Sequence, residues 1–320
     1  MAQTVHILAT CTDRKRGEVP PELRLRSVHA ATVAARAALW WKRLDGSRSG
    51  PVVARDLYSG DHWAVARGLP EVAEQSGLKA HLWVISAGYG LISADAEVRP
   101  YSATFVRRHA DSVWIAPEAR SGTDSSDWWS ALSRCGGSKT PRSVQDLVRD
   151  HPRDRFLIVA APDYVEALEP DIIAATSQLS DSARLLVVSS RGSSRSGPLA
   201  EHLVVSDARL QAKLGGAKGS LNARVARRIL MDAPRQGLEA SDVRTRLESL
   251  IAQCPELETY DRTKLTDEDV ITFVQRELKR EPRPSCTTLL RALRESGRAC
   301  EQHRFKALYH KTVEETHVRT

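Results

Sequence analysis

Four short runs hold the residue types that can act on a substrate. The first is Cys11-Thr12-Asp13-Arg14-Lys15-Arg16, which sets one carboxylate beside three cations. That mixture suits an acid–base or electrostatic carboxylate with phosphate-binding cations, and equally a solvated polar turn. The second is Leu57-Tyr58-Ser59-Gly60-Asp61-His62-Trp63, where Ser59 or Asp61 suits chemistry and also suits capping of a following helix. The third, Ser86-Ala87-Gly88-Tyr89-Gly90-Leu91, leads into Glu97-Val98-Arg99-Pro100-Tyr101-Ser102. Its glycines let backbone pass close to a ligand. Tyr89 and Tyr101 offer flat faces with polar tips, or else two packed loop tyrosines. The fourth is Ala161-Pro162-Asp163-Tyr164, where Asp163 reads as a cap and Tyr164 opens a helix.

Other catalytic signatures are missing. There is no G-x-x-x-x-G-K-[ST], no G-x-G-x-x-G after the first strand, no G-x-S-x-G and no H-E-x-x-H. Gly215-Gly216-Ala217-Lys218-Gly219-Ser220 resembles a phosphate loop but lacks the preceding strand, so it reads as a flexible entry to a basic helix. The ten histidines show no metal-ligand spacing. Cys11, Cys135, Cys254, Cys286 and Cys300 form no C-x-x-C pair, and reduced thiols in the cytoplasm are expected. Neither metal nor cofactor is called for.

The elements that must position these loops alternate between strand and helix. Val5–Thr10, Leu82–Ala87, Phe156–Ala161 and Leu185–Ser189 are short apolar runs that read as strands, with Pro51–Ala54 a shorter one. Helices are expected over Glu22–Leu44, Asp61–Ser76 and Asp163–Gln178. The pattern implies an α/β fold with a largely parallel, helix-covered sheet. In such sheets ligands bind beyond the carboxyl ends of the strands, where all four runs fall. Arg120–Lys139, rich in Ser and Gly around Trp128–Trp129, reads as an insertion or loop. Ser189–Gly197 reads as another loop. All seven tryptophans precede residue 130, which suggests two cores.

From about Gly219 the pattern is helical only. A basic helix over Leu221–Met231 carries Arg224 and Arg227, and Asp232–Gly237 reads as a linker. Helices follow over Ala240–Cys254, Thr266–Arg280, Ser285–Ser296 and Ala299–Val313. The last two flank Gly297, which is helix-turn-helix spacing. Gln302, His303, Arg304, Lys306 and Lys311 lie on the outer face. Between Arg276 and Lys311 stand ten Lys/Arg against four Asp/Glu, a local excess of +6. These features point to DNA docking, against a small packing or dimerisation domain with a solvated basic face. The expected division is residues 1–235, an α/β catalytic or base-binding domain, and 236–320, a small all-α DNA-binding domain.

Composition agrees with a folded chain. Of 320 residues 41% are hydrophobic, 27% are charged and the net charge is +7. No stretch reaches the 18 apolar residues of a membrane span. The opening MAQTVHILAT reads as a strand, not a secretory signal. A basic excess suggests an anionic partner, nucleic acid first.

Taken together, CTDRK, DLYSG, ISAGYGLI with VRPYSATF, and the tyrosine after a strand resemble an uncharacterised bacterial domain family with C-x-x-x-K, LYS, SA-x-YGL and PY motifs. That family is distantly similar to the YaaA peroxide-stress proteins. The resemblance covers roughly residues 4 to 190 and rests on Cys11, Lys15, Tyr58, Ser59, Ser86, Tyr89, Gly90, Pro100, Tyr101 and Tyr164. It implies a YaaA-like or uracil-DNA-glycosylase-like sheet. It also implies kinship in organisation with anti-phage DNA glycosylases that excise glucosylated hydroxymethylcytosine.

The expected function is therefore a DNA glycosylase, or related base-acting enzyme, directed at modified DNA. Tyr58, Tyr89 and Tyr101 would wall the flipped base, with Ser59, Ser86, Gly90 and Tyr164 completing the pocket. Asp13 is the first choice for the carboxylate that meets charge on the sugar, then Glu97, then Asp61. Arg14, Lys15, Arg16, Arg107 and Arg108 would hold phosphates, together with Arg224, Arg227 and the last helices. The alternatives are a non-catalytic DNA-binding protein and a base-modifying transferase.

Overall fold

The structure is a computed structural model, and it describes residues 3–115, 122–137, 140–190, 197–236, 238–257, 262–280 and 284–318. Six strands form one sheet: β1 (Thr4–Thr10), β2 (Lys79–Ser86), β3 (Gly90–Ser93), β4 (Arg155–Val159), β5 (Leu185–Ser190) and β6 (Leu203–Ser206). Their spatial order is β3-β2-β1-β4-β5-β6. Every neighbouring pair is parallel except β2 and β3, an antiparallel hairpin. β1 is buried at six of its seven positions, four of them apolar with His6 and Thr10 beside them, because helices cover both faces.

The longer helices of this unit are α1 (Val33–Gly46), α2 (Asp61–Arg67), α3 (Leu69–Gln75), α4 (Asp124–Ser133), α5 (Val144–Asp150), α6 (Pro162–Thr176), α7 (Leu221–Gln236) and α8 (Ala240–Ala252), besides single turns at Ala54–Leu57 and Gln211–Leu214. α1, α4, α5 and α6 pack into one layer, while α2, α3 and α7 pack into the other. From β1 the chain goes to β2 on one side, and returns to β4 on the other. That change of side makes the carboxyl end of β1 the topological switch point of the sheet.

Several expectations are corrected. The helix expected from Glu22 starts only at Val33, where the Thr32 hydroxyl caps it by accepting from Ala35 N at 3.2 Å. The preceding chain makes two short 3-10 turns, Pro21–Leu23 and Leu25–Ser27, pinned to Ser102 by backbone bonds of 2.8 and 2.9 Å. Asp61–Ser76 is two helices, because Pro70 follows Gly68 and restarts the chain. Arg120–Lys139 is no loop. Its centre is α4, with Trp128 and Trp129 buried in the core, while residues 120–121 and 138–139 lie outside the described ones. Residues 191–196 of the expected Ser189–Gly197 loop also lie outside them. Asp232–Gln236 continues α7 rather than linking domains. Val52–Val53 pairs with Glu97–Val98, outside the main sheet.

The chain divides into Met1–Pro255 and Glu256–Thr320, not at 235/236. α8 belongs to the first unit: Val243 and Leu247 enter its core, and Arg244 donates to the Ala200 and Leu203 carbonyls at 3.0 and 3.5 Å. The second unit holds α9 (Asp267–Arg280), α10 (Cys286–Glu295) and α11 (Gln302–Val318). It is not purely helical, since Thr263–Lys264 pairs in parallel with Arg298–Ala299. That pairing lengthens the turn after Gly297 and delays α11 to Gln302. A separate core of Val270, Phe273, Val274, Leu289, Leu290, Leu293, Cys300 and Phe305 holds this unit together. No described helix is long and apolar enough to cross a membrane.

Candidate functional site

The first two loops are zipped together by backbone. Arg16 N donates to Leu57 O at 2.7 Å and Ser59 N to Arg14 O at 3.0 Å, so Lys15 faces Tyr58 in an antiparallel bridge. The Thr12 hydroxyl adds a bond to Ser59 O at 2.9 Å. Just before it, Cys11 N continues the β1–β2 ladder to Ile85 O at 3.0 Å.

The third loop is held by indoles and a guanidinium. Trp128 donates to Ala87 O and Trp40 to Gly88 O, both at 2.8 Å, and Arg142 donates to Tyr89 O at 2.7 Å. Gly88 is required, because a Cβ there would lie 2.3 Å from the Tyr101 ring. Gly90 takes φ +74°, which lets the hairpin turn.

These constraints bring Cys11, Lys15, Tyr58, Ser86, Tyr101 and Tyr164 into one cluster. Ser86 Oγ accepts from Gly88 N at 3.2 Å and Tyr89 N at 2.9 Å, which fills both its lone pairs. Its proton therefore goes to Tyr101 Oη, 2.6 Å away, and Tyr101 in turn donates to Tyr58 Oη at 3.1 Å. Cys11 Sγ and Tyr164 Oη share a further bond of 3.3 Å. Lys15 Nζ donates to the carbonyls of Thr12 and Asp13 at 3.1 and 3.2 Å, and lies 4.7 Å from the centre of the Tyr101 ring. Burial pushes the phenols of Tyr58, Tyr101 and Tyr164 up and pulls the Lys15 ammonium down.

Other assigned residues stand elsewhere. Tyr58, Tyr89 and Tyr101 do not form open stacking walls. They pack edge-to-face on one another, Tyr89 against Tyr101 at 5.2 Å and Tyr58 against Tyr101 at 6.5 Å, and Tyr101 is fully buried. Tyr89 Oη accepts from Arg99 N at 2.9 Å, and burial pushes its phenol up to about 12. Ser59 is half-buried beside Lys15.

None of the three carboxylates joins the cluster. Asp13 points outward, and its side chain comes 3.9 Å from His109 Nε2. Glu97 is exposed in the short pairing with Val53. Asp61 accepts from the Ser220 hydroxyl at 2.5 Å, Ala217 N at 3.3 Å and Arg224 at 3.0 Å, which holds its carboxyl below the usual range. The Gly215–Ser220 segment is thus fastened to α2 rather than flexible.

Some assigned cations are also engaged. Arg224 is spent on Asp61. Arg107 stacks 3.5 Å above the Trp114 ring and pairs with Glu166 at 3.0 Å. Arg304 binds Asp267 Oδ1 and the Leu265 carbonyl at 2.7 and 2.9 Å. Lys15 belongs to the cluster instead of a phosphate clamp. Arg14, Arg16, Arg108, Arg227, Gln302 and Lys306 are exposed, while the side chain of His303 lies outside the described residues.

The sequence reading missed the supports. Arg36 is buried and donates to four carbonyls, those of Leu25, Val28, Ser112 and Val113, at 2.9–3.2 Å. Asp111 is fully buried. Burial alone would raise it, but bonds from Arg26 and Ser102 hold its carboxyl at about 2. Its Ser102 bond fixes the chain beside Tyr101. The signal for these is faint, since charged residues in polar segments ordinarily face water.

A second group sits near the other end of β1. The ligating atoms of His6, His151 and Asp154 lie within 4.8 Å of one another. Trp83 Nε1 donates to His6 Nδ1 at 3.1 Å, so the ring proton is on Nε2 and goes to Asp154 at 3.1 Å. Neutral His6 then has no lone pair left for an ion. A cleft of about 540 Å³ opens between β6 and α8, three strands from β1. Arg244 in its lining is already bound to backbone.

No family model, curated protein or solved structure matches this chain.

Proposed function

We propose that the protein is a DNA glycosylase, or a related base-acting enzyme, that excises a modified nucleobase from DNA in anti-phage defence. The observation that carries the reading is the convergence of Cys11, Lys15, Tyr58, Ser86, Tyr101 and Tyr164 at the carboxyl end of β1. A net charge of +7 and the exposed Gln302 and Lys306 of α11 support a nucleic-acid partner.

Flipping a base out of a duplex costs a few kcal/mol, which phosphate contacts offset. The exposed Arg14 and Arg16 flank Lys15 and suit that role. Because the tyrosine faces are packed, recognition of the base falls to hydroxyl, amine and backbone groups around Lys15 and Ser59 rather than to stacking. Asp13 shares the Lys15 loop and is the carboxylate best suited to meet positive charge on the sugar.

The test incubates the protein with unmodified, hydroxymethylcytosine and glucosylated phage DNA, then applies alkali. Breaks in one modified DNA, lost in Asp13→Asn, are the expected result. That none of Asp13, Glu97 and Asp61 joins the cluster favours a second reading, a non-catalytic DNA-binding protein. Salt-sensitive binding to all three DNAs without breaks would establish that reading instead.

A further inference from the structure

We propose that Lys15 is the amine nucleophile of an abasic-site lyase, acting on the deoxyribose aldehyde left when a base has been removed. The inference rests on the glycosylase reading for the origin of that aldehyde, but its test supplies the abasic site directly.

Lys15 differs in its surroundings from every other described lysine, since all the others are exposed. Its backbone is locked by the bridge to Tyr58, so the stem enters the cluster from a fixed origin. Two N–H groups of Nζ are committed to the carbonyls of Thr12 and Asp13, at 3.1 and 3.2 Å. A neutral amine satisfies both bonds and still has its lone pair. As an ammonium, the same nitrogen is held beside the Tyr101 ring, 4.7 Å from its centre. Burial lowers the cost of losing the third proton. The cluster thus stores an amine that is oriented in both protonation states.

The step balances without an added oxidant or reductant. The ammonium first releases a proton to solvent. The amine lone pair then forms a bond to C1′ of the open-chain aldehyde, giving a carbinolamine. This takes a proton back from solvent on its hydroxyl and loses water to leave a protonated imine. The expelled water takes a proton from C2′, the C2′–C3′ double bond forms, and the C3′–O bond breaks with the phosphate as leaving group. Water hydrolyses the imine, regenerating Lys15 and releasing the unsaturated aldehyde on the cleaved strand.

The experiment uses the full chain and a duplex carrying one preformed abasic site, with sodium cyanoborohydride to reduce the imine. A covalent protein–DNA adduct is expected, with the DNA remnant on the Lys15 peptide by mass spectrometry. Without the reductant, strand cleavage should occur with no alkali. Lys15→Arg retains charge and stem but should lose both adduct and cleavage, with an unchanged unfolding midpoint. Lys42→Ala, at an exposed lysine of α1, should retain them. No adduct with wild type, or an adduct undiminished in Lys15→Arg, overturns the proposal. Adducts on preformed sites with no excision from any DNA would sink the glycosylase reading and leave the lyase. Excision without adducts would do the reverse.

Discussion

The Ser86 hydroxyl donates to the Tyr101 hydroxyl across 2.6 Å, because two backbone N–H groups occupy both Ser86 lone pairs. A side chain at the end of β2 thereby orients a tyrosine fifteen residues away in sequence. Tyr101→Phe removes the middle of the chain that runs on to Tyr58. Ser86 loses its acceptor and Tyr58 its donor inside the core. A destabilisation of about 1–3 kcal/mol is expected, read as a lower denaturant midpoint with unchanged m.

Gly88→Ala tests the contact from the other side. The new Cβ would meet the Tyr101 ring at 2.3 Å, and the ring is fully buried with nowhere to retreat. Overpacking of this kind costs about 1–3 kcal/mol. The double variant Gly88→Ala with Tyr101→Leu should recover part of that loss, measured as a coupling energy between the two sites.

His6 gives a pH dependence with a definite sign. Its side chain is 2% exposed, and burial lowers its pKa from 6.5 to about 4 despite the Asp154 bond. Above pH 6.5 both folded and unfolded states hold it neutral, and its stabilising effect is complete. As pH falls towards 4 the unfolded chain takes up a proton that the folded one refuses. Roughly 3 kcal/mol of stability should be lost across that window. The difference in unfolding free energy between wild type and His6→Gln, followed from pH 7 to pH 4, should show this slope.

Truncation separates the two units at the right place. Residues 1–255 should fold alone, because α8 and its contacts stay with them. Residues 1–236 should be much less stable, since losing buried Val243 and Leu247 alone costs about 3 kcal/mol or more. Circular dichroism under urea reads both. If the second unit supplies phosphate contacts, 1–255 will also bind DNA more weakly, with a shallower dependence on salt.

The strands of this sheet were legible because strands buried on both faces are largely apolar runs. β6 (LVVS) and β3 (GLIS) were not, being four residues each and bordered by loop-like composition. α4 was hidden by its Ser-rich setting, although Trp128 and Trp129 marked a core helix. The site was legible as far as its loops follow strand ends. Cys11, Lys15, Tyr58, Ser86, Tyr101 and Tyr164 do converge. The carboxylates misled for a simple reason: adjacency in sequence says nothing about which side of a loop faces inward. Asp13 sits two residues from Lys15 and points away from the cluster. Arg36, Asp111 and Arg142 act on backbone far along the chain, so no local pattern announces them.

The placement of the tryptophans has an optical consequence. All seven fall within Met1–Pro255, whereas Glu256–Thr320 has none and holds its core together with Phe273 and Phe305. Emission excited at the red edge of protein absorbance, where only indole absorbs, watches the first unit alone. Trp40 and Trp128, bonded to adjoining carbonyls of the Ala87–Gly88 turn, make that signal a local reporter on the candidate site as well. A melt followed by fluorescence and by circular dichroism on the same sample resolves the two units without a label. The helical signal that the fluorescence does not account for belongs to Glu256–Thr320.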